Sequence, residues 1–229
     1  MDFDVKVYKA IPLFGDAHLF ISDTLIATWA VMAILIALAV VVRVKLKKFK
    51  EVPDTAFQNI VEMGIDMAEN FINGALGEKY KSIGGWFFGT ILTIWAMNMI
   101  GLTGFLRNPT ADFATTLAFS LSTFFILHYM WMKHKKFKYL KEYFEPMPVF
   151  FPMNVVSEIS VPISLGFRLF GNLLGGLILM GLIYGMFPIF LKIGIPAVLH
   201  GYFDVFSGSL QAFIFTILSM TFIRNKLPD

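Results

Sequence analysis

Long runs without Asp, Glu, Lys or Arg alternate along the chain with short charged stretches, and their lengths predict helices. Thr24 to Val42 supplies 19 such residues, Ser82 to Leu106 supplies 25 and Phe113 to Met132 supplies 20. At 1.5 Å per residue, each run can cross about 30 Å of hydrocarbon. The connection from Arg107 to Asp112 contains Asn108-Pro109 and reads as a tight turn, which predicts that the second and third spans are antiparallel neighbours. Beyond them, Ile159 to Leu191 is interrupted by Arg168 and Ile193 to Ile223 by Asp204. Two long helices, each carrying one charge, are predicted to close the fold.

Between the first two spans the period changes. Phe57, Ile60, Val61, Ile65, Ala68, Phe71 and Ile72 recur at three- and four-residue steps, with Asn59, Glu62, Asp66, Glu69 and Asn70 among the other positions. This is an amphipathic helix, expected to lie on the membrane surface after Pro53 with Asp54 as its cap. The organisation predicted is one membrane domain over residues 1–229. Its parts are a first span at 24–46, the surface helix at 54–76, a helical hairpin at 82–134 and two long helices at 154–224. The fold class is an all-α polytopic membrane protein with about five crossing helices, the last two long and tilted.

Composition agrees with that pattern. Hydrophobic residues make up 57% of the 229-residue chain and charged residues 15%, against about a quarter charged in soluble domains. The net charge of +3 gives no reason to expect nucleic acid as a partner. Without cysteine, and with four scattered histidines, neither a disulfide framework nor a metal site is expected, and no cofactor motif is present. The acidic beginning of the chain does not resemble a cleaved signal peptide.

The placement of charge predicts orientation. With five crossings, fourteen basic residues fall on one side: Arg43 to Lys50, Lys79 and Lys81, Lys133 to Lys141, and Arg224 with Lys226. Lys6, Lys9, Arg107 and Lys192 fall on the other. The N-terminus is therefore expected outside and the C-terminus in the cytoplasm. A bacterial plasma membrane is the expected location.

A fixed positive charge at mid-membrane costs about 2.5 to 3.5 kcal/mol on insertion scales, and arginine cannot escape by losing its proton. Arg168 therefore needs an account. The nearest acid on its helix, Glu158, is ten residues away, about 15 Å along the axis. Counting from the same face, Arg168 lies 14 residues beyond Asn154 and Gln211 lies 13 before Arg224, so antiparallel packing would bring both to one level. His200, Asp204, Ser207 and Gln211 recur at steps of four, three and four, which predicts one polar helix face. Asn172 is one turn past Arg168, with Glu158, Ser157 and Ser160 on its cytoplasmic side. Gly166, Gly171, Gly175, Gly176, Gly181 and Gly185 would admit a close neighbour. Trp29, Trp86, Trp95 and Trp131 are expected to face lipid or the interface.

The stretch Pro162-Ile-Ser-Leu-Gly-Phe-Arg-Leu-Phe-Gly-Asn172, with Ser209-Leu-Gln-Ala-Phe-Ile-Phe215 beyond it, resembles subunit a of the F-type ATP synthase membrane sector. The resemblance is close over the last 75 or so residues and extends to the layout of the rest. It implies a stator that is not itself an enzyme. Its partners would be a rotor ring of c subunits, peripheral stalk b subunits and, indirectly, a catalytic head. Two half-channels would link the ring to opposite sides of the membrane, with Arg168 as the essential arginine, Gln211 facing it and Asn172 beside it. Many bacterial relatives carry a glutamate nine residues after the arginine and a histidine seven before the glutamine. Here those positions hold Leu177 and Asp204, so Asp204, assisted by His200, is expected to serve the outer half-channel.

The physics of such a motor fits these residues. A rotor carboxylate crosses lipid cheaply only when neutralised by a proton or Na⁺. A fixed guanidinium nearby favours its ionised form and so expels the ion. A self-contained secondary transporter using Arg168 for an anionic substrate is the alternative. Inverted repeats would mark it, and no second copy of the FRLFGN segment is found. A scaffold would leave the matched depths of Arg168 and Gln211 unexplained. The chain also lacks a GxxxxGK[ST] loop, so nucleotide chemistry would belong to other subunits.

Overall fold

The computed structural model describes residues 7–14, 17–50, 53, 55–103, 106–136, 141, 143–186, 188 and 191–226. It is an all-α polytopic architecture preceded by one hairpin. Strands β1 (Val7–Phe14) and β2 (Ala17–Ser22) pair antiparallel, with Lys9 opposite Ile21 and Ile11 opposite Leu19. Five helices are long and apolar enough to cross a membrane: Asp23–Leu46, Tyr80–Thr103, Phe113–Lys135, Pro148–Met186 and Val198–Lys226.

Helix α1 (Asp23–Leu46) starts where the Ser22 hydroxyl accepts the Leu25 N–H, with Asp23 in its first turn and Arg43 and Lys45 in its last. This polarity suits the helix dipole. α1 touches the rest of the protein mainly at its beginning, where Thr24, Ala27 and Val31 are buried and the Thr24 hydroxyl donates to Asp112 at 2.9 Å. α2 (Ala56–Leu76) is the amphipathic helix. Its cap is Thr55, which accepts the Gln58 N–H, in the role expected of Asp54, a residue outside those described. At its end Gly77 adopts φ 83°, a conformation costly for any side chain. A 3₁₀ turn, Glu78–Ile83, then leads into α3 (Gly84–Met99).

α3 and α4 (Phe113–Lys135) are not the close neighbours the short connection predicts. α3 packs mainly on the C-terminal helix and α4 mainly on the long fourth span. Asn98 ties the end of α3 to α7 and to the turn that leads into α4: its amide donates to the Gly208 carbonyl at 2.8 Å and its oxygen accepts from Thr110 at 2.6 Å. Gly208 must be small here, because a Cβ would stand 3.0 Å from that of Asn98.

The long fourth span is α5 (Phe151–Met186), 36 residues or about 54 Å, more than an upright crossing of a ~30 Å core needs. Its partner is composite: α6 (Leu191–His200), a π-helical segment (Gly201–Ser207) and α7 (Gly208–Lys226). Of the glycines on α5, Gly166 and Gly176 are the close contacts, against Ser120 and Phe203, while Gly171, Gly175 and Gly185 face open space. One core cluster joins Ile72 and Leu76 of α2, Phe87, Leu127, Trp131 and Met220. Trp131 is 1% exposed, where a position facing lipid or the interface was expected, because Lys226 of α7 and the Tyr143 ring pack against it. A second cluster packs Leu165 and Leu169 against Ile94, Ala212 and Phe215.

Candidate functional site

The inward face of α5 is set by Glu158, Pro162, Leu165, Leu169, Leu173, Gly176 and Met180, spaced at helical intervals and buried. Arg168 is off that face. It is exposed on the outer surface of the chain, as are Ser160, Ser164, Gly171 and Gly175 along the same side. Among the described residues no acid or acceptor pairs with it. The guanidinium is thus presented outward rather than neutralised within the chain. The small residues beside it leave room for something to approach.

Directly behind this surface, the Asn172 amide donates to the Gln211 oxygen at 2.6 Å. Gln211 is 3% exposed, and its own amide nitrogen has no partner among the described residues. The depth count predicted Gln211 level with Arg168. The pair instead aligns Gln211 with Asn172, one turn farther along and about 6 Å away in rise.

Towards the other end of the same helix pair, His200 Nδ1 lies 2.6 Å from Asp204 Oδ2, and His200 Nε2 lies 3.4 Å from the Tyr184 hydroxyl. The single polar face predicted for His200, Asp204, Ser207 and Gln211 is interrupted. The π segment Gly201–Ser207 accommodates one residue more per hydrogen-bonded ring than an α-helix, which turns later positions by about 100° relative to a continuous α-helix. His200 and Asp204 still meet, while Gln211 points into the interior. Ser207 is half-buried and forms no side-chain hydrogen bond among the described residues. Tyr184 was missed in the sequence reading. Counting from the Asn172–Gln211 pair would have found it, since Tyr184 lies 12 residues along one helix and His200 lies 11 along the other.

At the opposite end Glu158 is 9% exposed and forms an ion pair with Lys226. The Lys226 ammonium also sits 4.2 Å from the centre of the Trp131 ring. This contact ties the beginning of α5, the end of α7 and the end of α4 together. Three polar levels therefore follow one another along the α5–α7 pair: Glu158 with Lys226, Arg168 with Asn172 and Gln211, and Tyr184 with His200 and Asp204. Among the described residues no cluster of three metal-ligating side chains occurs.

Comparison with known proteins places these features in a family. The model of the ATP synthase A chain family matches residues 25–224. The chain is 33% identical over 224 residues to "ATP synthase subunit a, sodium ion specific" of Propionigenium modestum, covering 91% of this chain and 75% of that one. It is 30% identical to ATP synthase subunit a of Bacillus pumilus strain SAFR-032, covering 91% and 93%. With ATP synthase subunit a of Nitratidesulfovibrio vulgaris strain DP4 the identity is 35%, over 86% of this chain and 83% of the other.

Proposed function

The chain belongs to the ATP synthase A chain family, and on that premise we propose that it is the stator of the rotary ion motor, with Arg168 exchanging ions on a rotating ring of c subunits. It is a multi-pass membrane protein, part of a multisubunit F-type ATP synthase, with a role in its proton or sodium translocation. The observation that carries the finer reading is the outward, unneutralised Arg168. A charge at that depth is tolerated only if a counter-charge reaches it, and the open flank at Gly171 and Gly175 supports a counter-charge arriving from another subunit.

The role of each residue follows from its level. A ring carboxylate approaching Arg168 is favoured in its ionised form and gives up its proton or Na⁺. Gln211, held by Asn172, packs behind the arginine's helix and keeps a polar, uncharged layer at the exchange level. Asp204 with His200 lines the outer half-channel. Glu158, with Ser157 and Ser160, lines the inner one. Arg168 between them repels cations that would otherwise run straight through. Each charge driven across 100 mV contributes about 2.3 kcal/mol. The subunit has no catalytic role of its own; the b subunits of the peripheral stalk brace it and the catalytic head makes ATP. The N-terminus lies outside a bacterial plasma membrane and the C-terminus in the cytoplasm, supported by the one-sided distribution of lysine and arginine.

The test is ATP-driven ion pumping and passive leak in liposomes holding the whole complex, wild type against Arg168→Ala. Pumping is expected to vanish with assembly intact and leak raised. Normal pumping by the variant would overturn the stator reading.

A further inference from the structure

We propose that a phospholipid binds in a trough between α2, α3 and α7, with its headgroup at Lys81 and one acyl chain lying along α3 towards Trp95. Two cavities share lining residues at Ala68, Ile72 and Phe88 and therefore adjoin as the two halves of this trough. The smaller, about 170 Å³, is bordered by Glu69, Asn73 and Lys81. The larger, about 450 Å³, is bordered by Phe87, Ile91, Leu92, Trp95 and Phe213. One end is charged and the other is apolar, which is the polarity of a lipid.

Length and charge name the occupant. From Gly84 to Trp95 the α3 wall runs 11 residues, about 16 Å, close to the ~15 Å that one leaflet contributes to the hydrocarbon core. That is the reach of one acyl chain. At the far end the indole N–H already donates to Ser209 at 3.0 Å, so the ring offers an apolar surface to a tail. At the near end Lys81 pairs with Glu69 at 3.0 Å, both side chains being more than half exposed. Such a pair is weak, and an ammonium has three donors, so a phosphate can be taken as a further partner. A lysine at the mouth of an otherwise largely apolar trough favours a phospholipid, whose phosphate meets the ammonium while its chain follows the apolar wall, over a helix from a neighbouring subunit. Neither end of the trough contributes to the ion path described above.

The experiment uses the whole complex with a photoreactive p-benzoylphenylalanine in place of Leu92, and a control complex with it in place of Leu38 on the lipid-exposed side of α1. After extraction into detergent and illumination, mass spectrometry of this subunit is expected to find a phospholipid adduct at position 92 and none at 38. Lys81→Gln is expected to lower that adduct several-fold. Ala68→Phe, which fills the waist of the trough, is expected to abolish it without touching the ion pair. Cross-linking of position 92 to another protein subunit would overturn the proposal in favour of a packed helix. No adduct, equal adducts at 92 and 38, or a yield indifferent to both substitutions would each overturn it as well.

Discussion

The two ends of the α5–α7 pair are built in opposite ways. At the inner end Glu158 is buried, its cation Lys226 comes from the partner helix, and Trp131 of a third helix closes over the pair. At the outer end His200 and Asp204 belong to one helix, four residues apart, with side chains 36% and 15% exposed. The inner pair fastens separate helices together, whereas the outer pair is local to one helical span, its carboxylate nearly as buried as that of Glu158. One acid is thus paired across helices and the other within its own helical span.

If that contrast is right, the largest stability effect should come from the inner end. Lys226→Met leaves a buried carboxylate without its cation, which typically costs about 3 kcal/mol or more. Thermal unfolding of the purified complex should shift down, and less of this subunit should be recovered in it. Glu158→Gln combined with Lys226→Met should recover most of the loss, because no unpaired charge remains. An unshifted single variant would show that the pair is only an incidental contact.

What was legible in the sequence follows the same division. The crossing helices were readable because length and apolarity alone specify them, and so was the motif around Arg168, whose charge stands out in an apolar run. Relations between helices were not. The six-residue link of Arg107 to Asp112 suggested that α3 and α4 pair, but Asn98 spends its amide on Gly208 and its oxygen on Thr110, drawing α3 to α7 instead. Trp131 looked like an interfacial residue until Lys226 and Tyr143 were seen to cover it. The β-hairpin at Val7–Phe14 and Ala17–Ser22 escaped because neither VYKAIPLF nor AHLFIS has the strict apolar–polar alternation that marks a half-buried strand. The π segment has no simple residue code, so the stripe from His200 to Gln211 was extrapolated through a place where the period changes.

The outer end makes the complementary prediction. Asp204→Asn removes an ionisable group that no other helix depends on for an ion pair, so assembly and thermal stability should stay near wild type. Ion-driven ATP synthesis should fall by about a hundredfold, the lower range for losing a positioned proton-transfer group. Measuring synthesis and subunit content on the same membranes separates the two effects. If synthesis is unchanged, Asp204 is not on the path. If assembly fails in step with synthesis, the outer pair is as structural as the inner one and the contrast collapses.

The smallest effect is expected at Tyr184, and it sharpens the comparison by asking whether the outer pair has a tether at all. The Tyr184 hydroxyl stands 3.4 Å from His200 Nε2, at the long end of useful hydrogen bonds. Tyr184→Phe keeps the ring packed beside the imidazole while removing this one link, worth about 1 kcal/mol at most. Synthesis should therefore drop less than about fivefold, with assembly unchanged. A loss as deep as that of Asp204→Asn would mean that His200 acts only when oriented from α5. The outer end, too, would then be a contact between helices, distinguished from the inner one by strength alone.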